Sequence, residues 1–250
     1  MNHRDVYYVF DKPVPFKDLL IYPVRMEDYL EFMAFSECLT IDKNSIPDAK
    51  IISMSYLGYL MEYTTMDNLW IAKLDRILRL SLNDKDRSLD IKYGYNDNNK
   101  PILMIGDLSM DGGVFDELID IICEQNMIEK EDYSISKEVR DALKSARDFR
   151  NRGGAKMAGL EDQIAALVSS TSLTVDDVCK LTIRKFTKII ERLDAKLHYQ
   201  IYLAASMSGM VKFEDTSFIK HWLSDLSEKD KFGGNAIAKE SIENKLSGKK

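Results

Sequence analysis

Cysteine is scarce in this chain. Cys38, Cys123 and Cys179 are far apart and form no C-x-x-C pair. An odd number so spaced offers no disulfide framework and fits a reducing compartment. Each lies among apolar neighbours and is read as a small buried side chain. Five prolines and twelve glycines in 250 residues supply too little turn chemistry for a many-stranded sandwich, which favours long helices. No apolar run approaches the roughly 18 residues that a membrane span needs. The opening MNHRDVYYVFDKP carries charge where a secretory signal would carry an apolar core. These absences point to the cytoplasm, or to something larger assembled there. Positive charge is not in excess either: the formal net charge of −6 argues against a protein built to coat nucleic acid, while leaving local patches open.

What is present is ordinary globular material. A hydrophobic fraction of 45% with 30% charged residues excludes wholesale disorder, and the length suits one large domain or two modest ones. The expected class is mainly α: a multi-helix bundle with an N-terminal β-hairpin and a small β-hairpin insertion.

Within 6–23, Val6 to Phe10 and Leu19 to Tyr22 read as two short strands, bounded by Pro13, Pro15 and Pro23. A helix follows over 26–39; Tyr29, Leu30, Phe32, Met33 and Phe35 cover much of its circumference, so it should be well buried. Ser45 is the expected cap before Pro47. Helices over 51–63 and 66–82 come next. The second carries Leu69, Trp70, Leu74, Ile77, Leu78 and Leu82 at spacings of three and four.

From Asn83 the composition shifts to Asp, Asn and Gly. Within 88–110, Leu89 to Tyr95 and Pro101 to Ile105 read as a hairpin turning at Asn96–Lys100, with Leu108 to Met110 as a third piece. Helices are expected at 114–126, with Phe115, Leu118, Ile119 and Ile122 on one side, and at 136–150. Arg150 to Gly159 interrupts every pattern. The expected organisation is therefore an N-terminal part over 1–150, a linker over 151–159, a C-terminal helical part over 160–228 and a mobile tail over 229–250. Thr174 with Asp177 opens a short helix as a variant capping box. A long helix follows from about Thr182, and Phe218 to Leu226 forms a last amphipathic segment.

In the long helix Phe186, Ile189, Ile190, Leu193, Leu197 and Ile201 mark one face, read as a packing face. Asp194 and His198 are four apart and can meet on the helix surface. With His221 they make a candidate metal site for a metal-dependent enzyme, but no second histidine lies near in sequence and no metal or other cofactor is expected. A boundary histidine bonded to its neighbour explains His198 more cheaply. The run Asp84-x-Asp86-x-Ser88-x-Asp90 imitates a calcium loop but holds Leu89 and Tyr95 where glycine and glutamate are needed, so it reads as a solvated loop. Asp111, among glycines, is read as a helix cap. Arg184, Lys185, Lys188, Arg192 and Lys196 give the long helix a basic side, diluted by Glu191 and Asp194; no nucleic-acid or membrane partner is expected. No nucleophile has a convincing base, so an enzyme is not expected. Tyr199, Tyr202, Met207 and Met210, with Trp222, cluster where the long helix ends. They are the candidate partner-binding residues, since methionine-rich surfaces adapt to varied apolar partners.

Two stretches carry a resemblance. PVPFKDLLIYPVRMEDYLEFMAF resembles the opening of phage tail assembly chaperones. VDDVCKLTIRKFTKIIERLDAKLHYQIYLAASMSGMVKF resembles C-terminal helices of proteins encoded among phage tail genes of Gram-positive (Clostridium-type) hosts. The resemblance implies a non-enzymatic protein that holds the tape measure or tail tube protein ready for assembly. The length and the β insertion leave room for a permanent virion component, such as a connector or baseplate protein, and for a homo-oligomer.

Overall fold

The computed structural model describes residues 4–63, 69–130, 158–208, 219 and 221–224. The chain divides into two compact units. One comprises Met1–Asp132 with Ala158–Glu191, and the other Tyr133–Met157 with Arg192–Lys250. The fold is mainly α, with two small antiparallel sheets among the described residues. The expected helix over 136–150, the linker residues 151–157, Met210 and the tail over 229–250 lie outside the described residues.

In the first unit, helix α1 spans Asp5–Val9, where a strand was expected. The five residues do not alternate in character, and a helical turn directs Tyr8 inward, to donate from its hydroxyl to Glu124 at 2.5 Å. Tertiary contact thus overrides the β preference of an aromatic and branched run. The hairpin lies one step later. Strands β1 (Val14–Phe16) and β2 (Leu19–Ile21) pair antiparallel around Lys17, which turns at φ 52°.

The stretch 26–39 is three pieces, a 3-10 turn over Met26–Asp28, helix α2 over Tyr29–Phe35 and a second 3-10 turn over Ser36–Leu39. It is buried on one side only: Met26, Phe32, Cys38 and Leu39 face the core, while Leu30 and Met33 are exposed. Helix α3 spans Ala49–Ser53 and is capped by the Asp48 side chain, not by Ser45. The expected helix over 51–63 breaks at Met54. Ser55 then caps helix α4 (Tyr56–Glu62), accepting from the Gly58 amide. Helix α5 (Trp70–Ser81) buries Leu74, Ile77 and Leu78, as its spacing implies, but Leu69 precedes the helix and is exposed.

Strands β3 (Ile91–Tyr95), β4 (Pro101–Ile105) and β5 (Leu108–Met110) form one sheet in that order. Gly106, at φ 57°, opens the two-residue turn between β4 and β5, a position that glycine fills without strain. Helix α6 (Gly112–Gln125) starts at its Asp111 cap, whose carboxylate accepts from the Val114 amide at 3.0 Å. Phe115, Leu118, Ile119 and Ile122 point into a core shared with α4, α5 and β4. Two buried amides at the end of α6 stitch in the N-terminal segment: Gln125 donates to the Ile21 carbonyl at 3.0 Å, and Asn126 accepts from the Val24 amide at 2.9 Å. Helices α7 (Leu160–Ser170) and α8 (Val175–Lys180) follow, and the expected Thr174–Asp177 capping box is present in full. Cys38 and Cys123 are buried, and burial pushes both thiols up to about 12; Cys179 is only half-buried.

The loop after α5 is organised by a buried charge rather than solvated throughout. Asp84 accepts from the Ser88 amide and hydroxyl (2.8 and 2.9 Å) and from the Leu89 amide, and Arg79 donates to it at 2.5 Å. Desolvation raises the carboxyl's pKa, but these bonds outweigh it and hold the group below the usual carboxylate range. Such a group contributes stability that is present above its unfolded pKa and lost as pH falls through the folded value. Asp84→Ala should therefore cost about 3 kcal/mol near neutrality, because it leaves the Ser88 and Leu89 amides without their acceptor and takes from mostly buried Arg79 one of its two carboxylates, the other being Asp75. The deficit should shrink in denaturant titrations run at about pH 2. A deficit equal at both pH values would contradict this account.

Candidate interaction surface

Helix α9 spans Ile183–Met207, 25 residues or about 37 Å. Its first turn is fastened to the first unit. Thr182 caps it, accepting from the Lys185 amide at 3.1 Å while its hydroxyl donates to Asp11 at 2.8 Å. Lys185 pairs with the same carboxylate at 2.9 Å. Arg184 donates to the Glu124 carbonyl at 2.7 Å and lies over the Tyr8 ring. Burial and the Glu124 carboxylate both raise the Tyr8 hydroxyl's pKa, so that hydroxyl remains a donor. The Ile183 amide donates to Val24 and the Leu181 carbonyl accepts from Met26. Ile183 and Phe186 are buried in this unit.

Beyond Glu191 the helix belongs to the second unit, and there its apolar stripe loses its cover. Leu193 is half-buried, whereas Leu197 is 50% exposed, Ile201 63% and Met207 78%. The packing face expected from Phe186 to Ile201 is thus packed only at its start. Spacings of four place Leu193, Leu197 and Ile201 in one row, and Ala204 continues it at a spacing of three. The outcome is an apolar ridge on the surface, three turns long.

A different side of this part of the helix is occupied. Arg192 donates to the Trp222 and Ser224 carbonyls at 2.8 and 2.7 Å. Tyr199 meets the His221 ring edge-on at 5.0 Å between centroids, and Lys196 lies over the Trp222 ring. The turn over 221–224 is closed by the Ser224 amide donating to the His221 carbonyl at 2.8 Å. Trp222 is therefore half-buried against α9. Tyr199 and Tyr202 are also half-buried, and Met207 is the most exposed of the expected partner-binding residues that are described. Arg192, which fixes the 221–224 turn, was not among them. Its two acceptors lie 30 and 32 residues further along the chain, and a cation binding two carbonyls leaves no sequence signal.

Asp194 and His198 meet at 3.2 Å, and both are exposed. His198 stacks on Tyr202, whereas His221 accepts from the Leu223 amide at its Nδ1. Among the described residues, no group of three His, Cys, Asp or Glu side chains is placed to hold a metal ion. The basic side of the helix is largely engaged within the chain: Lys188 pairs with Glu191 at 2.7 Å, and Arg184, Lys185, Arg192 and Lys196 have the partners given above. No helix among the described residues is long and apolar enough to cross a membrane.

Residues 151–227 match the family model described as the YomV second domain, a phage-derived family of the Bacillus phage SPbeta type. The matched stretch contains α7, α8 and α9 and straddles both compact units. No curated protein and no solved structure matches the chain.

Proposed function

We propose that the chain is a phage protein that acts by protein–protein contact rather than by catalysis, and that it is an assembly chaperone for a helical tail component. The observation that carries this reading is the exposed apolar ridge at Leu197 and Ile201, which lies within the stretch that matches a phage-derived family. Apolar side chains at helical spacing, left in water, suit the apolar stripe of a second helix laid alongside. A tape measure protein is a long helical chain with such stripes, prone to associate with itself. A carrier that covers them and bears a formal charge of −6 keeps the pair in solution.

Co-expression with the tape measure protein encoded in the same tail gene cluster should yield a complex that co-purifies through two chromatographic steps. Complexes that form only with the tail tube protein would move the assignment to that partner. No complex with either would overturn the chaperone reading. Detection of the chain in purified particles at a fixed stoichiometry would identify it as a virion component instead.

A further inference from the structure

The three-stranded sheet ends in an open edge. The Asp90 carbonyl accepts from Gly106, and the Asn96 amide donates to Lys100. In the antiparallel register of Ile91↔Ile105 through Tyr95↔Pro101, these bonds mark even-numbered residues of β3 as those bonded to β4. The amides and carbonyls of Ile91, Tyr93 and Tyr95 therefore point away from the sheet, and among the described residues no group takes them. An edge of this kind is a template for another strand.

We propose that this edge pairs with the same edge of a second copy of the chain, antiparallel about a two-fold axis at Tyr93, to make a six-stranded sheet. The inference is independent of the stripe on α9. What selects a second copy is the sequence of the strand, IKYGY. Centred on Tyr93, the pairing sets Ile91 opposite Tyr95 of the second copy, twice by symmetry. Branched against aromatic is a favourable cross-strand pair, and it covers Tyr95, which is 48% exposed. The one charged residue of the strand, Lys92, falls opposite Gly94 of the second copy, the one position without a side chain to crowd or repel it. A lysine on an edge normally discourages pairing. Here it discourages foreign strands and other registers while leaving this one open.

The register predicts opposite outcomes for two substitutions at one position. A Cβ at Gly94 meets only the Met104 Cε, at 3.8 Å, and its backbone is not in the left-handed region, so the monomer accepts a side chain there. Gly94→Lys sets lysine against Lys92 in two cross pairs, whereas Gly94→Glu makes two opposite-charge pairs. Sedimentation equilibrium of the full chain from about 1 to about 300 µM should show a monomer–dimer equilibrium. At low salt the dissociation constant should rise roughly tenfold in Gly94→Lys and fall in Gly94→Glu. A wild-type chain that remains monomeric throughout overturns the proposal. So does a dimer on which the two variants act alike, since its interface lies elsewhere.

Discussion

Leu197→Glu combined with Ile201→Glu is expected to abolish capture of the helical partner while leaving the chain folded. Each side chain is already about half covered in the free chain, so a partner helix that covers the rest gains about 1–2 kcal/mol of apolar burial from each. Losing both, and placing two carboxylates against an apolar stripe, should weaken binding roughly 10³-fold or more. The chain itself should tolerate the change. Both positions are at least half exposed in the free protein, exposed substitutions seldom cost more than about 0.5 kcal/mol, and glutamate is a better helix former than isoleucine. Calorimetry of the variant with the partner, alongside its unfolding midpoint, separates the two effects. Unchanged affinity would show that the stripe is not the docking surface. A large fall in the midpoint would show that the stripe packs within the chain.

The second large effect is expected in the core of the first unit, at Phe115→Ala. Phe115 is fully buried on α6, with its ring stacked at 6.5 Å from Tyr56. The Tyr56 hydroxyl in turn donates to the Cys38 carbonyl at 2.7 Å and accepts from the Ile41 amide at 3.0 Å. Removing the ring leaves a cavity and loosens the tyrosine that ties the 3-10 turn at 36–39 to α4. A loss of about 3–5 kcal/mol is expected, a large share of the 5–15 kcal/mol typical of a domain. Urea titration followed by far-UV dichroism measures it directly. A loss below about 1 kcal/mol would mean that the core closes around the gap.

Features whose cause lies within a few residues can be read directly from the order of the amino acids. The stripe Leu74, Ile77 and Leu78 sits at helical spacing, so its burial on α5 follows once any core is present. The Thr174–Asp177 box and the Asp111 cap are complete within one turn. The β3–β4 hairpin is set by its turn residues and by Pro101 at the first position of its strand.

The remaining features depend on contacts between residues that are remote in sequence, which no local pattern encodes. Val6 to Phe10 has the composition of a strand, yet Tyr8 reaches Glu124, 116 residues away, and the segment is helical. Asp84 looks like part of a solvated acidic loop until Arg79 and the amides of 88 and 89 close over it. The same limit governs the long helix. From Phe186 to Ile201 its apolar residues repeat without a break, and hydrophobicity alone does not say what covers them. The structure shows Phe186 buried while Leu197 and Ile201 face water. Apolar spacing specifies which side of a helix avoids water; whether the chain itself or a partner supplies the cover depends on neighbours that the spacing does not encode.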